Sequence, residues 1–230
     1  MGVLGAAWLA HVVPVSPAAI WRADAWVVAG DTAAALDVYD DVATWCPIPA
    51  VRRIALARAA SVLAVELKEP AAAAERWKRV AALTEGADRA EALARAGEQL
   101  AAQALDSRFD RAAEIAELFE RAGLLAGETG ADWLAQAATW QERAGDLPAA
   151  EALWERVRGL GEGGRAELGL GKMWLAAGRV ELALEAFDRA STDADVGVAA
   201  ALGLEACRER LGKLEDALAD RGAGPRMGNR

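Results

Sequence analysis

Histidine is all but missing from this chain: His11 is the only one in 230 residues. It sits in an apolar N-terminal run, where it reads as a structural or boundary residue, so the commonest general base of enzymes has no well-placed representative. Cys46 and Cys207 are the only cysteines and form no CxxC pair. Neither a structural zinc site nor a Cys–His nucleophile can be assembled from such a set. The two read as small buried hydrophobes, and a disulfide between them is not expected. Charge of one sign is nowhere concentrated, because 26 basic and 35 acidic residues are mixed along the chain, giving a net charge of −9. Nucleic acid needs a basic face against its phosphates, and this chain has none to offer. A long hydrophobic run is lacking too. Val3 to Val13 (VLGAAWLAHVV) is apolar, but a membrane-spanning helix needs about 20 such residues, and no Lys or Arg precedes the run as a secretory signal requires. Ser16-Pro17-Ala18 nevertheless places small residues near a possible cleavage point. Three readings of residues 1–15 are open: a packed or capping helix, the remnant of a longer anchor, or an atypical signal.

What is abundant is Ala and Leu, with Glu and Arg as the main charges, and these are good helix formers. Only VVPVS, near the start, has strand character, so an all-α protein is expected. The Ala bias and the preference for Arg over Lys suggest a bacterium with a GC-rich genome. The chain is organised around Asp132 to Ala190, where two segments each read helix, Gly turn, helix. With Gly145 set over Gly178, Ala150 falls over Ala183, Trp154 over Phe187 and Val157 over Ala190. A small residue at a fixed distance after the turn, then an aromatic one turn on, lets antiparallel helices press close and stack on the next pair.

This pattern resembles the tetratricopeptide (TPR) repeat, whose period is about 34 residues. The resemblance implies a right-handed α-solenoid of about six hairpins over residues 16–221, followed by a short tail, residues 222–230. The first hairpin starts at Ser16-Pro17, a hydroxyl cap before a proline. It turns at Gly30-Asp31 and stops at Cys46-Pro47, with Ala35 and Tyr39 at the repeat's small and aromatic positions. The second turns at Lys68-Glu69-Pro70, without glycine, with Ala73 and Trp77 in register. A third turns near Asp106 to Asp110 and fits, with Phe119 as its aromatic, only if about three residues are inserted. The fourth and fifth turn at Gly145 and Gly178. A sixth would turn at Gly212-Lys213 with Ala217 as its small residue, but Arg221 stands at its aromatic position.

Features that could pass for chemistry have plainer readings. Gly159 to Met173 is glycine-rich and contains Lys172, yet it lacks G-x-x-x-x-G-K-[ST] and no strand precedes it. It reads as an inter-repeat loop, with Gly169 and Gly171 admitting close helix packing. Carboxylates such as Glu151, Glu155, Glu181 and Glu185 alternate with Arg at helical spacing and read as a solvated face. Of the tryptophans, Trp26, Trp77, Trp154 and Trp174 are expected in the core, while Trp133 and Trp140 share one side of a helix and wedge against the preceding hairpin. Trp21 and Trp45 fit less well; either, if exposed, is a candidate anchor for a partner.

The resemblance further implies that the first helix of each hairpin lines a concave surface. By register this gives Asp24, Arg58, Val62, Gln136, Thr139, Arg143, Lys172, Glu209 and Arg210. Gln136, Thr139 and Arg143 make a polar stripe on an otherwise apolar helix. The asparagine-and-lysine clamp that some TPR domains use on acidic chaperone tails cannot be built here, since Asn229 is the only asparagine. The expectation is a non-catalytic interaction module or adaptor that binds a protein or peptide, without cofactor. The alternative is an envelope component held at the membrane through its N-terminus, in which self-association through the last hairpin is open. Bacterial cytoplasm and a membrane-anchored or periplasmic location both fit the sequence.

Overall fold

The computed structural model describes residues 16–104 and 111–222, with side chains to Glu215. The expectations for the N-terminal run with His11 and VVPVS, for the turn at Asp106 to Asp110 and for the tail from residue 223 lie outside the described residues. Eleven α-helices and no strand occur among those described: α1 (Pro17–Ala29), α2 (Thr32–Trp45), α3 (Pro49–Val65), α4 (Pro70–Ala82), α5 (Gly86–Ala104), α6 (Ala112–Ala126), α7 (Ala131–Ala144), α8 (Leu147–Gly159), α9 (Gly163–Ala176), α10 (Val180–Ala190) and α11 (Gly197–Gly222). A short 3₁₀ turn, Gly127–Gly130, joins α6 to α7. Two compact units result, Met1–Ala144 and Gly145–Arg230, divided at the turn of the fourth sequence hairpin.

The turns follow from their residues. Gly30 adopts φ 87° at the end of α1, which an L side chain rarely tolerates, and the Asp31 side chain then accepts from the Ala34 N–H at 3.3 Å. A Gly-Asp pair thus stops one helix and caps the next. The second turn has no glycine, and Lys68 carries the left-handed conformation there at φ 57°. Ser16 precedes Pro17 as expected, but its hydroxyl makes no cap; its carbonyl accepts from Ala19 N–H instead.

In the first unit each helix packs on the next, from α1 through α7. The small positions Ala35 and Ala73 and the aromatics Tyr39, Trp77 and Phe119 are all buried, so the repeat register holds even across the expected insertion. Ion pairs at about repeat spacing tie successive hairpins. Arg76 of α4 grips Asp40 of α2 through Nε at 2.9 Å and Nη2 at 2.6 Å. Lys78 of α4 donates to Glu114 of α6, and Arg53 of α3 meets Asp88 of α5 at 2.6 Å. These pairs are partly exposed and each is worth at most about 1 kcal/mol, so the buried aromatics hold the stack and the charges set its register.

The second unit is built on glycine pads. The Trp154 indole of α8 lies over Gly169 of α9, where a Cβ would come within 2.5 Å of the ring. Phe187 of α10 is clasped between Gly171 of α9 and Gly203 of α11, where Cβ atoms would come within 2.7 and 2.6 Å. Glu167 of α9 is buried and ties three helices: its Oε1 lies 2.7 Å from Arg158 Nη2 of α8, and its Oε2 3.0 Å from Arg189 Nη2 of α10.

Two expectations are corrected. The sixth hairpin does not form: α11 runs unbroken through Gly212 and Lys213, and Gly212, unlike Gly30 and Gly178, is not among the glycines with positive φ. A turn there would have to be held by an aromatic on the returning helix. Arg221 stands in its place, so nothing opposes continuation of a run of good helix formers. Trp26 is half-exposed rather than core, with the Arg22 guanidinium 5.5 Å from its ring. Among the described elements α1 packs chiefly on α2, so only one flank of the helix is covered.

Candidate functional site

In the first unit, the first helices of successive hairpins supply a groove. One hollow of about 370 Å³ lies between α1, α2 and α3, lined by Asp24, Val27, Val28, Tyr39, Arg58 and Val65 among others. A second, of about 400 Å³, continues along α3, α5 and α7 and shares Ser61 and Val65 with the first. On α3 its wall is Ala60, Ser61 and Ala64; on α5 it is Glu91, Ala94, Arg95 and Glu98; Trp133 of α7 closes one side. These α5 residues recur every three or four positions, so one stripe of the helix faces the groove. A third hollow, reaching Arg53, Ile54 and Asp88, shares Trp77, Glu91 and Arg95.

Polar side chains along this groove are held in place. Tyr39 is buried, and its hydroxyl donates to Asp24 Oδ1 at 2.5 Å. Burial and the Asp24 carboxylate beside it push the phenol pKa well above its usual value, so the hydroxyl keeps its proton and acts as a donor. Arg58 Nε sits 3.7 Å from the same carboxylate and remains largely exposed. Arg95 lies over the Trp77 ring at 4.8 Å and pairs with Glu91 at 2.5 Å. The floor is apolar and the rim carries both signs of charge.

The residues chosen from sequence distribute unevenly. Asp24 and Arg58 meet each other and the first hollow, and Val62 lines it. On α7, Thr139 donates its hydroxyl to the Ala135 carbonyl at 3.0 Å, and the Arg143 guanidinium lies 4.4 Å from the Trp140 ring. Gln136 is half-buried beside them. Lys172 and Arg210 belong to the second unit. Lys172 is exposed on α9; Arg210 borders a hollow of about 410 Å³ with Leu175, Ala206, Glu209, Lys213 and Leu214.

Apart from Val62, sequence reasoning missed the stretch of α3 and α5 between Ser61 and Glu98. Its alanines look like core spacing, and only the position of α7 shows that Ala64 opens on a groove. Trp21 and Trp45, uncertain from sequence, are 76% and 71% exposed. No group of three or more His, Cys, Asp or Glu side chains suited to a metal ion occurs among the described residues. None of the described helices is long and apolar enough to cross a membrane.

No family model and no curated protein matches the sequence. Among solved structures, one titled "Crystal structure of MamA" is similar at 17% identity, over 84% of this chain and 96% of that chain, with a TM-score of 0.47. The TPR-like helical-repeat fold itself stands on the packing described above.

Proposed function

We propose that this chain is a non-catalytic interaction module that takes a segment of a protein partner into the groove between α1, α3, α5 and α7. The observation that carries the reading is the continuity of the hollows: Ser61 and Val65 line two of them, and Trp77, Glu91 and Arg95 join the third. An extended trough with an apolar floor and a rim of mixed charge suits a peptide or helix whose side chains alternate in character. Because packed helices carry the walls, little ordering cost falls on the scaffold when a segment binds. Asp24 and Arg58 would contact the segment at one end, and Gln136, Thr139 and Arg143 on α7 are the residues proposed beyond Trp133. Lys172 and Arg210 are proposed as contacts of the second unit.

The test is selection of peptides from a random displayed library on the full chain, followed by fluorescence anisotropy with wild type and groove variants. Ser61→Arg and Ala64→Glu each crowd the groove without opening the core, and should weaken a selected peptide by at least about tenfold, or 1.4 kcal/mol. A Gln136→Ala, Thr139→Ala, Arg143→Ala triple variant asks whether α7 takes part. Undiminished binding by both folded groove variants would rule out the groove as the site.

A further inference from the structure

On the side of α5 turned away from the groove lies a separate hollow of about 330 Å³, lined by Lys78, Ala81 and Ala82 of α4, Arg89 and Leu93 of α5, and Glu114, Glu117, Leu118 and Arg121 of α6. Arg89 and Leu93 are four apart and share one stripe of α5. Glu91, two positions from each, is turned roughly 160–200° away, toward the groove. The two sites are therefore back to back on one helix.

Every charged group in this hollow except one is matched. Glu114 accepts from Arg111 Nε at 2.7 Å and from Lys78, and Lys78 also reaches Glu75 at 2.8 Å. Arg121 pairs with Glu117 at 3.4 Å. Arg111 and Lys78 hold the Glu114 carboxyl below its ordinary pKa against the opposing effect of burial, so that carboxylate stays charged at neutral pH. Arg89 has no ion pair among the described residues, and its Nε is buried without a hydrogen-bond partner. The side chain as a whole is half-buried and lines the hollow, so its charge, with no counter-ion among the described residues, rather than the enclosed Nε is what a ligand there would meet.

We propose that this hollow is a binding site for a small organic acid, a single carboxylate carried on an apolar body, with Arg89 as its principal partner. The lining holds three cations and two carboxylates, a surplus of one positive charge. One carboxylate balances it, whereas a phosphate dianion would over-compensate and would approach Glu114 and Glu117. The guanidinium fork suits the two oxygens of a carboxylate. Leu93, Leu118, Ala81 and Ala82 supply an apolar wall, and the volume lies at the small end of ligand sites. The site does not depend on the groove reading.

The experiment is calorimetric titration of the full chain with hexanoate, with hexanamide as its uncharged counterpart, and with inorganic phosphate. Hexanoate is expected to saturate one site in the millimolar range or tighter, and hexanamide to bind at least about tenfold more weakly. Arg89→Gln should lose hexanoate by a similar factor and Arg89→Lys by less, while Arg58→Gln, in the groove, leaves it unchanged. In the wild type, hexanoate but not hexanamide should slow phenylglyoxal labelling of Arg89 read by mass spectrometry, a readout that survives even if a variant folds poorly. The proposal is overturned by absence of saturable hexanoate binding, by equal binding of hexanamide, by tighter binding of phosphate, or by Arg89 labelling that hexanoate does not slow.

Discussion

The same substitution, glycine to alanine, should have opposite signs at two positions of the second unit. At Gly171 a new Cβ would stand 2.7 Å from Cδ1 and Cε1 of Phe187, well inside van der Waals contact. The ring has little room to retreat, since it is fully buried and Gly203 also closes on its Cε1 edge, with a Cβ position 2.6 Å away. Overpacking of this kind costs about 1–3 kcal/mol, and the second close approach at Gly203 puts Gly171 near the upper value. Against it stands the helical advantage of Ala over Gly, about 1 kcal/mol. The net loss is about 2 kcal/mol, which lowers Tm by roughly 4–8 °C in a chain of this size. At Gly212 nothing lies within 4 Å of the added methyl, and the residue is inside α11. There only the helical term remains, so Gly212→Ala should stabilise by up to about 1 kcal/mol. Urea denaturation followed by helical circular dichroism reads both. A neutral or stabilising Gly171→Ala refutes the clasp. A Gly212→Ala variant that loses stability refutes the continuous helix, because alanine is penalised at a left-handed turn.

Three further outcomes follow from the ion pairs and the turns. Glu167→Gln should cost about 2 kcal/mol in the same assay, below the usual 3–5 for a broken buried pair because both arginines are partly exposed. Arg189→Gln should cost roughly half as much, since Arg158 still faces the carboxylate; equal losses would mean that the two contacts do not share the charge. Glu114 has its pKa lowered in the folded state, so its stabilising contribution is complete above the unfolded value near 4.5 and fades as pH falls through the folded pKa. Glu114→Gln should accordingly be less sensitive than wild type to acid below about pH 4.5, and identical acid profiles would contradict the pairing with Arg111 and Lys78. Lys68→Gly relieves a left-handed conformation worth about 1–2 kcal/mol but gives the unfolded chain more freedom, about 0.4–1 kcal/mol, so a net gain of about 0.5 kcal/mol is expected. A loss of stability on that change would show that Lys68 has a role beyond the turn.

The helices and their register were legible because both are local. Proline at helix starts, Gly-Asp at a turn and an aromatic four residues after a small residue act through contacts within one hairpin, and they placed α1 to α4 and α7 to α10 within a residue or two. Asp24 could be placed on the hollow between α1, α2 and α3 for the same reason, since it stands six residues before its turn as Val62 does before the next, and Arg58 lies one helical turn before Val62. The failures are equally physical. Gly212 has the glycine of a turn, but whether a helix breaks depends on what its returning arm can pack against, and that partner is missing at Arg221. Trp26 has the spacing of a core residue, yet burial depends on a neighbour covering its far flank, which spacing does not report.

Composition and periodicity by themselves determined an all-α chain, with 26 basic and 35 acidic residues mixed along it and a single histidine. These are properties of residue type and of the 3.6-residue helical turn, and they need no knowledge of which hairpin meets which. Tertiary structure alone decided that the α3 alanines open on a groove, that Phe187 rests between two glycines, and that Arg89 is the one charged group in its hollow without an ion pair among the described residues. Each of these depends on side chains brought together from helices distant in the chain, and their distances are set by packing rather than by spacing in the sequence.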